Sequence, residues 1–253
     1  MGLPQTGIVW ITGAGKGIGR GLAKEFAKRG WTVAASGRTE NDLLQLKKEW
    51  AAPDFHCFPL DITDLTKTKE TAGAIVGALG CPDLVILNAG THIPISAPEF
   101  SLDDFRKLID TNLVGTANCL AQILPEMIER RRGHIAIVAS VAGYSGLPTA
   151  AGYGASKAGL INMCESLKPE LEKYNVQMTV INPGFVKTPL TDKNEFPMPF
   201  LISVEDAVRH VMSGLDSGRF EIAFPGRFVF LMKLLRILPY RLFFCLTRRL
   251  VRS

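Results

Sequence analysis

The 253-residue chain is short of several features that mark whole classes of protein. Its five cysteines, Cys57, Cys81, Cys119, Cys164 and Cys245, are odd in number and include no C-x-x-C pair. That pattern argues against a disulfide framework and a zinc site, and it suits a reducing compartment. All five also read as small buried apolar residues. The four histidines share no ligand spacing, so no metal is expected. No internal repeat, low-complexity tract or interdomain linker is visible. Within 227–253 no uncharged run approaches the roughly 20 residues that cross a bilayer. The first apolar run, Ile8 to Ile11, leads into a glycine-rich turn and reads as a core strand, not a signal peptide. Met1-Gly2-Leu3-Pro4-Gln5-Thr6 fits the loose myristoylation pattern but abuts that strand.

Acidic residues are missing from one region. Between Arg227 and Ser253 there are seven cations (Arg227, Lys233, Arg236, Arg241, Arg248, Arg249, Arg252) and no carboxylate side chain. Removing those seven from the formal net charge of +5 leaves the body at −2. These cations alternate with Leu and Phe and form no polar basic face, which argues against nucleic acid as a partner. Phe228–Leu238 is apolar almost all round, and a second segment follows Pro239. Two readings follow: amphipathic helices on an anionic membrane surface, or a cover for a pocket or dimer interface with snorkelling arginines. The missing acidic residues favour the membrane surface.

What is present is globular: 47% hydrophobic and 21% charged residues, in a length that suits one domain. Apolar β-rich runs at Ile8–Thr12, Thr32–Ser36, Phe55–Leu60, Leu84–Leu87, His134–Ala139, Gln177–Ile181 and Phe220–Phe224 read as strands. Helix-period stretches near 17–29, 40–51, 64–79, 101–131, 153–174 and 203–217 separate them. Such alternation predicts an α/β domain over 1–226, a doubly wound parallel sheet of about seven strands, followed by a helical tail over 227–253. Ligands on such sheets sit at the carboxyl ends of the strands.

The first strand ends in Thr12-Gly13-Ala14-Gly15-Lys16-Gly17-Ile18-Gly19, and a helix follows. Glycines there let backbone approach a pyrophosphate at a helix N-terminus, which is the Rossmann arrangement for a dinucleotide. An NAD site usually offers an acidic residue at the end of the second strand. Here Ala35-Ser36-Gly37-Arg38 has none, and Arg38 with Lys16 could clamp a 2′-phosphate. NADP(H) is therefore expected in preference to NAD(H).

Tyr153 and Lys157 stand four apart on a predicted helix, one turn apart on one face. A nearby ammonium is expected to pull the phenol below its ordinary pKa of about 10, fitting it for acid–base work. Ser140, ending the fifth strand, is placed to hydrogen-bond a substrate oxygen. Tyr144 and Tyr174 have no lysine four residues on.

Taken together, Thr12–Gly19, Asn88-Ala89-Gly90, Asn112, Ser140, Tyr153, Lys157 and Pro183-Gly184 resemble, in that order, the short-chain dehydrogenase/reductase family over roughly the first 225 residues. The resemblance implies roles. Tyr153 would be the acid/base, and Lys157 would tune it and hold the nicotinamide ribose. Ser140 would orient the substrate oxygen, and Asn112 would keep a helix kink and a relay water. Asp61 and Ile62 would meet the adenine, although Asp61 could instead cap the next helix, as could Thr63 or Asp64. Asn88, Ala89 and Gly90 would line the cofactor and brace the sheet. Pro183, Gly184, Val186 and Thr188 would form the nicotinamide side. The stretch 185–203 would be a lid, with Leu147, Leu190, Met198 and Phe200 making an apolar mouth. His92 is left as structural.

The expectation is an oxidoreductase moving a hydride between NADP(H) and a lipophilic ketone, aldehyde or secondary alcohol. A homodimer or homotetramer is expected. So is a cytoplasmic location, with 227–253 available for attachment to the inner face of a membrane. Two alternatives stand beside it. A non-catalytic NADP(H) sensor or membrane scaffold would have no need of all four of Asn112, Ser140, Tyr153 and Lys157. An epimerase or dehydratase of the longer relatives would need a different glycine spacing and a larger C-terminal domain.

Overall fold

A computed structural model describes residues 2–50, 54–192 and 198–251. Pro197 of the expected lid and Arg252 of the tail lie outside the described residues. Seven strands, β1 (Ile8–Thr12), β2 (Thr32–Gly37), β3 (Phe55–Pro59), β4 (Leu84–Leu87), β5 (Gly133–Val138), β6 (Val176–Pro183) and β7 (Glu221–Phe224), form one sheet. Their order is β3-β2-β1-β4-β5-β6-β7, and every pair is parallel. This is the expected doubly wound α/β sheet. The strand ends differ from the sequence reading by at most two residues.

Parallel pairing requires crossovers, and helices α1 (Gly17–Lys28), α2 (Glu40–Trp50), α3 (Leu65–Leu79), α4 (Leu102–Ile109), α5 (Gly115–Glu129), α6 (Ala151–Glu172) and α7 (Val204–Asp216) supply them. Each strand alternates between two cores. Trp10, Val85, Leu87, Ile135 and Val180 pack under α3, α5 and α6, while Val9, Ile11, Val33, Ile86 and Ile181 pack under α1, α2 and α7. Because both faces are covered, β4 is buried at all four positions and reads as unbroken Leu-Val-Ile-Leu. Each such side chain contributes about 1.5–3 kcal/mol.

One element departs from the reading. The helix expected over 101–131 is α4 and α5 joined by a π-helical turn, Asp110–Val114. The turn carries Asn112, which is fully buried and spends its amide on Thr91 and Ser156. The wider turn aims that side chain inward, at the cost of regular helix.

The tail forms α8 (Gly226–Ile237) and α9 (Tyr240–Thr247), separated at Leu238-Pro239. Val229 and Met232 of α8 enter the core beside α6. Phe230, Leu231, Ile237, Tyr240 and Leu242 are left on the surface. Among the described residues no helix is long and apolar enough to cross a membrane.

The strand order reverses beside β1, whose neighbours are β2 and β4. Thr12 pairs with Ser36 on one side and Leu87 on the other, which brings the loops after β1, β2 and β4 together. That crevice is where a ligand of such a sheet is held.

Candidate active site

A cleft of about 490 Å³ runs across the carboxyl ends of β1, β2, β4, β5 and β6. Its wall is built first from the loop after β1. Gly13 has φ +67° and Gly17 φ +54°, which glycine adopts without steric cost. A Cβ on Gly13 would lie 2.8 Å from Ala89 Cα, so the β1 and β4 loops approach too closely for a side chain there. Gly19 does not line the cleft. It lies beneath it, where a Cβ would fall 2.3 Å from the Gly13 oxygen. Asn88 ties the two loops: its Nδ2 donates to the carbonyls of Thr12 (3.1 Å) and Gly13 (3.2 Å). Thr12 completes the tie, its buried hydroxyl accepting from the amides of Asn88 (3.0 Å) and Ala89 (3.1 Å). The sequence reading took Thr12 only as the start of a motif. The first turn of α1 carries no acidic residue, and its cap, Lys16, makes no side-chain capping bond. These donors and this glycine cradle fit a dinucleotide phosphate.

At the end of the cleft beside β2 and β3, Arg38 and Asp61 line it with Ile62. Arg38 is exposed, and among the described residues it forms no ion pair. Asp61 does accept from the amide (3.0 Å) and hydroxyl (2.8 Å) of Thr63, but the α3 cap is Asp64. Lys16 is not a free cation: its Nζ lies 3.3 Å from Asp42 Oδ2. Asp42 also lines the cleft and was missed by the sequence reading, which searched only the end of β2. The signal available was an acidic pair, Glu40 and Asp42, in the first turn of α2.

At the other end stand Ser140, Tyr153 and Lys157. The Ser140 hydroxyl accepts from Ala142 N (3.1 Å) and donates to the Pro183 carbonyl (3.3 Å). It also lies close enough to the Tyr153 phenol to lower that group's pKa. Lys157 is buried, its Nζ donating to the Val138 carbonyl at 2.9 Å and lying 5.7 Å from the centre of the Tyr153 ring. Burial pulls Lys157 down to about 8. The expected lowering of Tyr153 by Lys157 is not what this geometry produces. Burial raises the phenol above its ordinary value, and the opposing pull comes from the Ser140 hydrogen bond. His92, left as structural, meets Tyr153 edge-on with ring centres 4.6 Å apart.

Asn112 does not line the cleft. It sits behind it, where Oδ1 accepts from Thr91 N (2.7 Å) and Nδ2 donates to Thr91 O (3.0 Å) and Ser156 Oγ (3.0 Å). A Cβ on Gly90 would come 3.1 Å from Asn112 Oδ1 and 3.5 Å from Lys157 Nζ, so the bare glycine leaves room for both groups.

Pro183, Gly184, Val186 and Thr188 close the remaining side. Thr191 holds this turn, its hydroxyl donating to Val186 O (2.7 Å) and accepting from Thr188 N (2.9 Å). Thr188 reaches over the glycine loop, against Gly17. Leu190 lines the cleft, but Leu147 lines a different cavity. Phe200 instead packs on Phe228 of α8 (6.1 Å), which stacks on Phe185 (5.4 Å) and crowds Gly184.

A sequence profile of the short chain dehydrogenase family matches residues 7–197. An uncharacterized oxidoreductase of Myxococcus xanthus is 41% identical over 95% of this chain and 96% of its own length. A 3-oxoacyl-[acyl-carrier-protein] reductase of Thermotoga maritima is 34% identical over 84% of each chain. A short-chain dehydrogenase structure from Streptomyces avermitilis superposes with a TM-score of 0.84 at 21% identity, over 98% of each chain. With the glycine-walled cleft ending at Ser140, Tyr153 and Lys157, these likenesses establish that the chain belongs to the short-chain dehydrogenase/reductase family of oxidoreductases.

Proposed function

We propose that this oxidoreductase uses NADP(H) to interconvert a lipophilic ketone or aldehyde and its alcohol, with Tyr153 as the acid/base. The observation that carries the reading is the meeting of Ser140, Tyr153 and the buried Lys157 at one end of the glycine-walled cleft. The coenzyme, when bound, supplies or accepts the hydride. In the reductive direction Tyr153 gives its hydroxyl proton to the carbonyl oxygen, which Ser140 holds once its own proton turns there from the Pro183 carbonyl. Burial opposes the phenolate left behind, and the Lys157 ammonium, 5.7 Å from the ring centre, is the neighbouring positive charge that offsets part of this. General acid catalysis of this kind contributes typically about 10²–10⁴-fold. Asn112 acts as a positioning residue, fixing Thr91 beside the cleft.

NADP(H) preference is supported by Arg38, exposed at the adenosine end without a carboxylate partner among the described residues, with Lys16 across the cleft. A lipophilic substrate is supported by Leu190 and by the aromatic cluster of Phe185, Phe200 and Phe228 next to Gly184. The basic tail and its exposed Phe230, Leu231 and Ile237 support attachment of a cytoplasmic protein to an anionic membrane surface. A homodimer or homotetramer completes the reading.

The test is coenzyme oxidation over a carbonyl panel running from small diketones to long-chain and steroid ketones. Turnover with NADPH on the apolar members is expected, reduced at least a hundredfold in Tyr153→Phe and shifted toward NADH in Arg38→Ala. Equal use of NADH and NADPH by the wild type would remove the coenzyme preference. Full activity in Tyr153→Phe would remove the acid/base assignment.

A further inference from the structure

A second cavity, of about 670 Å³, lies between the loop Tyr144–Pro148 and the tail helices α8 and α9. It shares no lining residue with the nucleotide cleft. Its size falls in the range of small-molecule sites, and its wall is mostly apolar, with Leu147, Leu238, Phe243 and Phe244 prominent. Among the described residues, two charged side chains line it, Arg236 and Arg248. Among the described residues, neither is in an ion pair. The chain offers no carboxylate side chain after Glu221, and Glu221 is already bonded to Tyr144, Asn182 and Lys233. The cavity thus joins a greasy wall to two uncompensated guanidinium groups.

That combination selects its occupant. A cationic molecule is repelled, and a neutral apolar one gains nothing from the two arginines, which are exposed to water. A carboxylate or phosphate can accept paired hydrogen bonds from guanidinium while its chain covers the aromatic wall. We infer that this cavity binds a single-chain anionic amphiphile of the long-chain carboxylate type, its headgroup on Arg236 and Arg248 and its chain along Leu147, Phe243 and Phe244. The site is separate from the chemistry, although its loop begins four residues after Ser140. It requires neither turnover nor the coenzyme preference proposed above.

The test is calorimetry on the full chain with sodium dodecanoate below its aggregation concentration, beside dodecanol, octanoate and phosphatidylglycerol vesicles. Saturable binding of one dodecanoate per chain is expected. Octanoate and dodecanol should each bind at least about tenfold more weakly, the first for lost chain and the second for lost charge. The double variant Arg236→Gln, Arg248→Gln should weaken dodecanoate by about tenfold or more while NADPH binding is unchanged. Equal affinity for dodecanol and dodecanoate, or an unaffected double variant, overturns the inference. So does the absence of saturable dodecanoate binding, whether the tail then takes up vesicles or sedimentation shows a second copy of the chain covering the cavity.

Discussion

Lys157 donates from Nζ to the main-chain carbonyl of Val138 at 2.9 Å, so a buried cation closes the end of β5 beside the Tyr153 ring. Burial lowers its pKa to about 8 from an ordinary 10.5. The folded protein thus releases this proton before the unfolded chain does, and stability rises as pH climbs from about 8 to 10.5. The gap corresponds to about 3 kcal/mol of burial cost at neutral pH. Lys157→Met should therefore be more stable at pH 7 by about 1–2 kcal/mol, the loss of the Val138 bond offsetting the rest. Its turnover should fall at least a hundredfold. Urea unfolding at pH 7 and pH 9.5 checks this: the wild type should gain on the variant at the higher pH.

Asp42 holds Lys16 at 3.3 Å within the cleft. A 2′-phosphate in the proposed reading must compete with that carboxylate for the lysine and is repelled by it. Asp42→Asn should tighten NADPH by roughly three- to tenfold and leave NADH nearly unchanged. Arg38→Ala should weaken NADPH by about 10–100-fold, the value of a lost charged hydrogen bond. Fluorescence titration of both coenzymes measures both effects.

Glu221 joins three segments: Tyr144 after the loop bearing Ser140, Asn182 on β6 and Lys233 on α8 all bond its carboxylate. Burial pushes its pKa up, but the three hydrogen bonds outweigh this and leave it below the ordinary value. Its contribution is present at neutral pH and is lost as pH falls below the ordinary glutamate range. Glu221→Gln should loosen α8, so that trypsin cuts at Arg227, Lys233 and Arg236 several times faster than in the wild type. Unchanged cleavage would show that α8 is held by Val229 and Met232 alone.

His134 is buried on β5 with its Nε2 2.9 Å from Thr179 Oγ1. The Thr179 proton is spent on the Arg219 carbonyl, so the ring must donate from Nε2. Burial lowers its pKa to about 4 from 6.5. The stability of this neutral ring is complete above pH 6.5 and is lost as pH falls towards 4, by about 3 kcal/mol in all. His134→Gln, which donates but does not titrate, should flatten that acid limb. Urea midpoints between pH 7 and pH 4.5 compare the two.

Local and periodic features were legible from the residues. The strands are short apolar runs between turn residues, and Gly13 and Gly17 stand where the backbone needs positive φ. Both can be read because their causes lie within a few residues of chain. The order of Asn88, Asn112, Ser140, Tyr153 and Lys157 along the chain carried the family in the same way.

Everything set by distance across the fold was decided by tertiary structure. Lys16 meets Asp42 only because β1 and β2 lie side by side, and His92 meets Tyr153 only because the β4 loop faces α6. The sign of the Tyr153 shift followed burial, which no spacing of tyrosine and lysine reveals. The tail shows the division most plainly. Its composition declared it basic and apolar, but packing divided its residues: Val229 and Met232 went to the core, Ile237 and Tyr240 to the surface, and Arg236 and Arg248 to the rim of a cavity. Composition is a property of the chain, whereas a pocket exists only between surfaces that folding brings together.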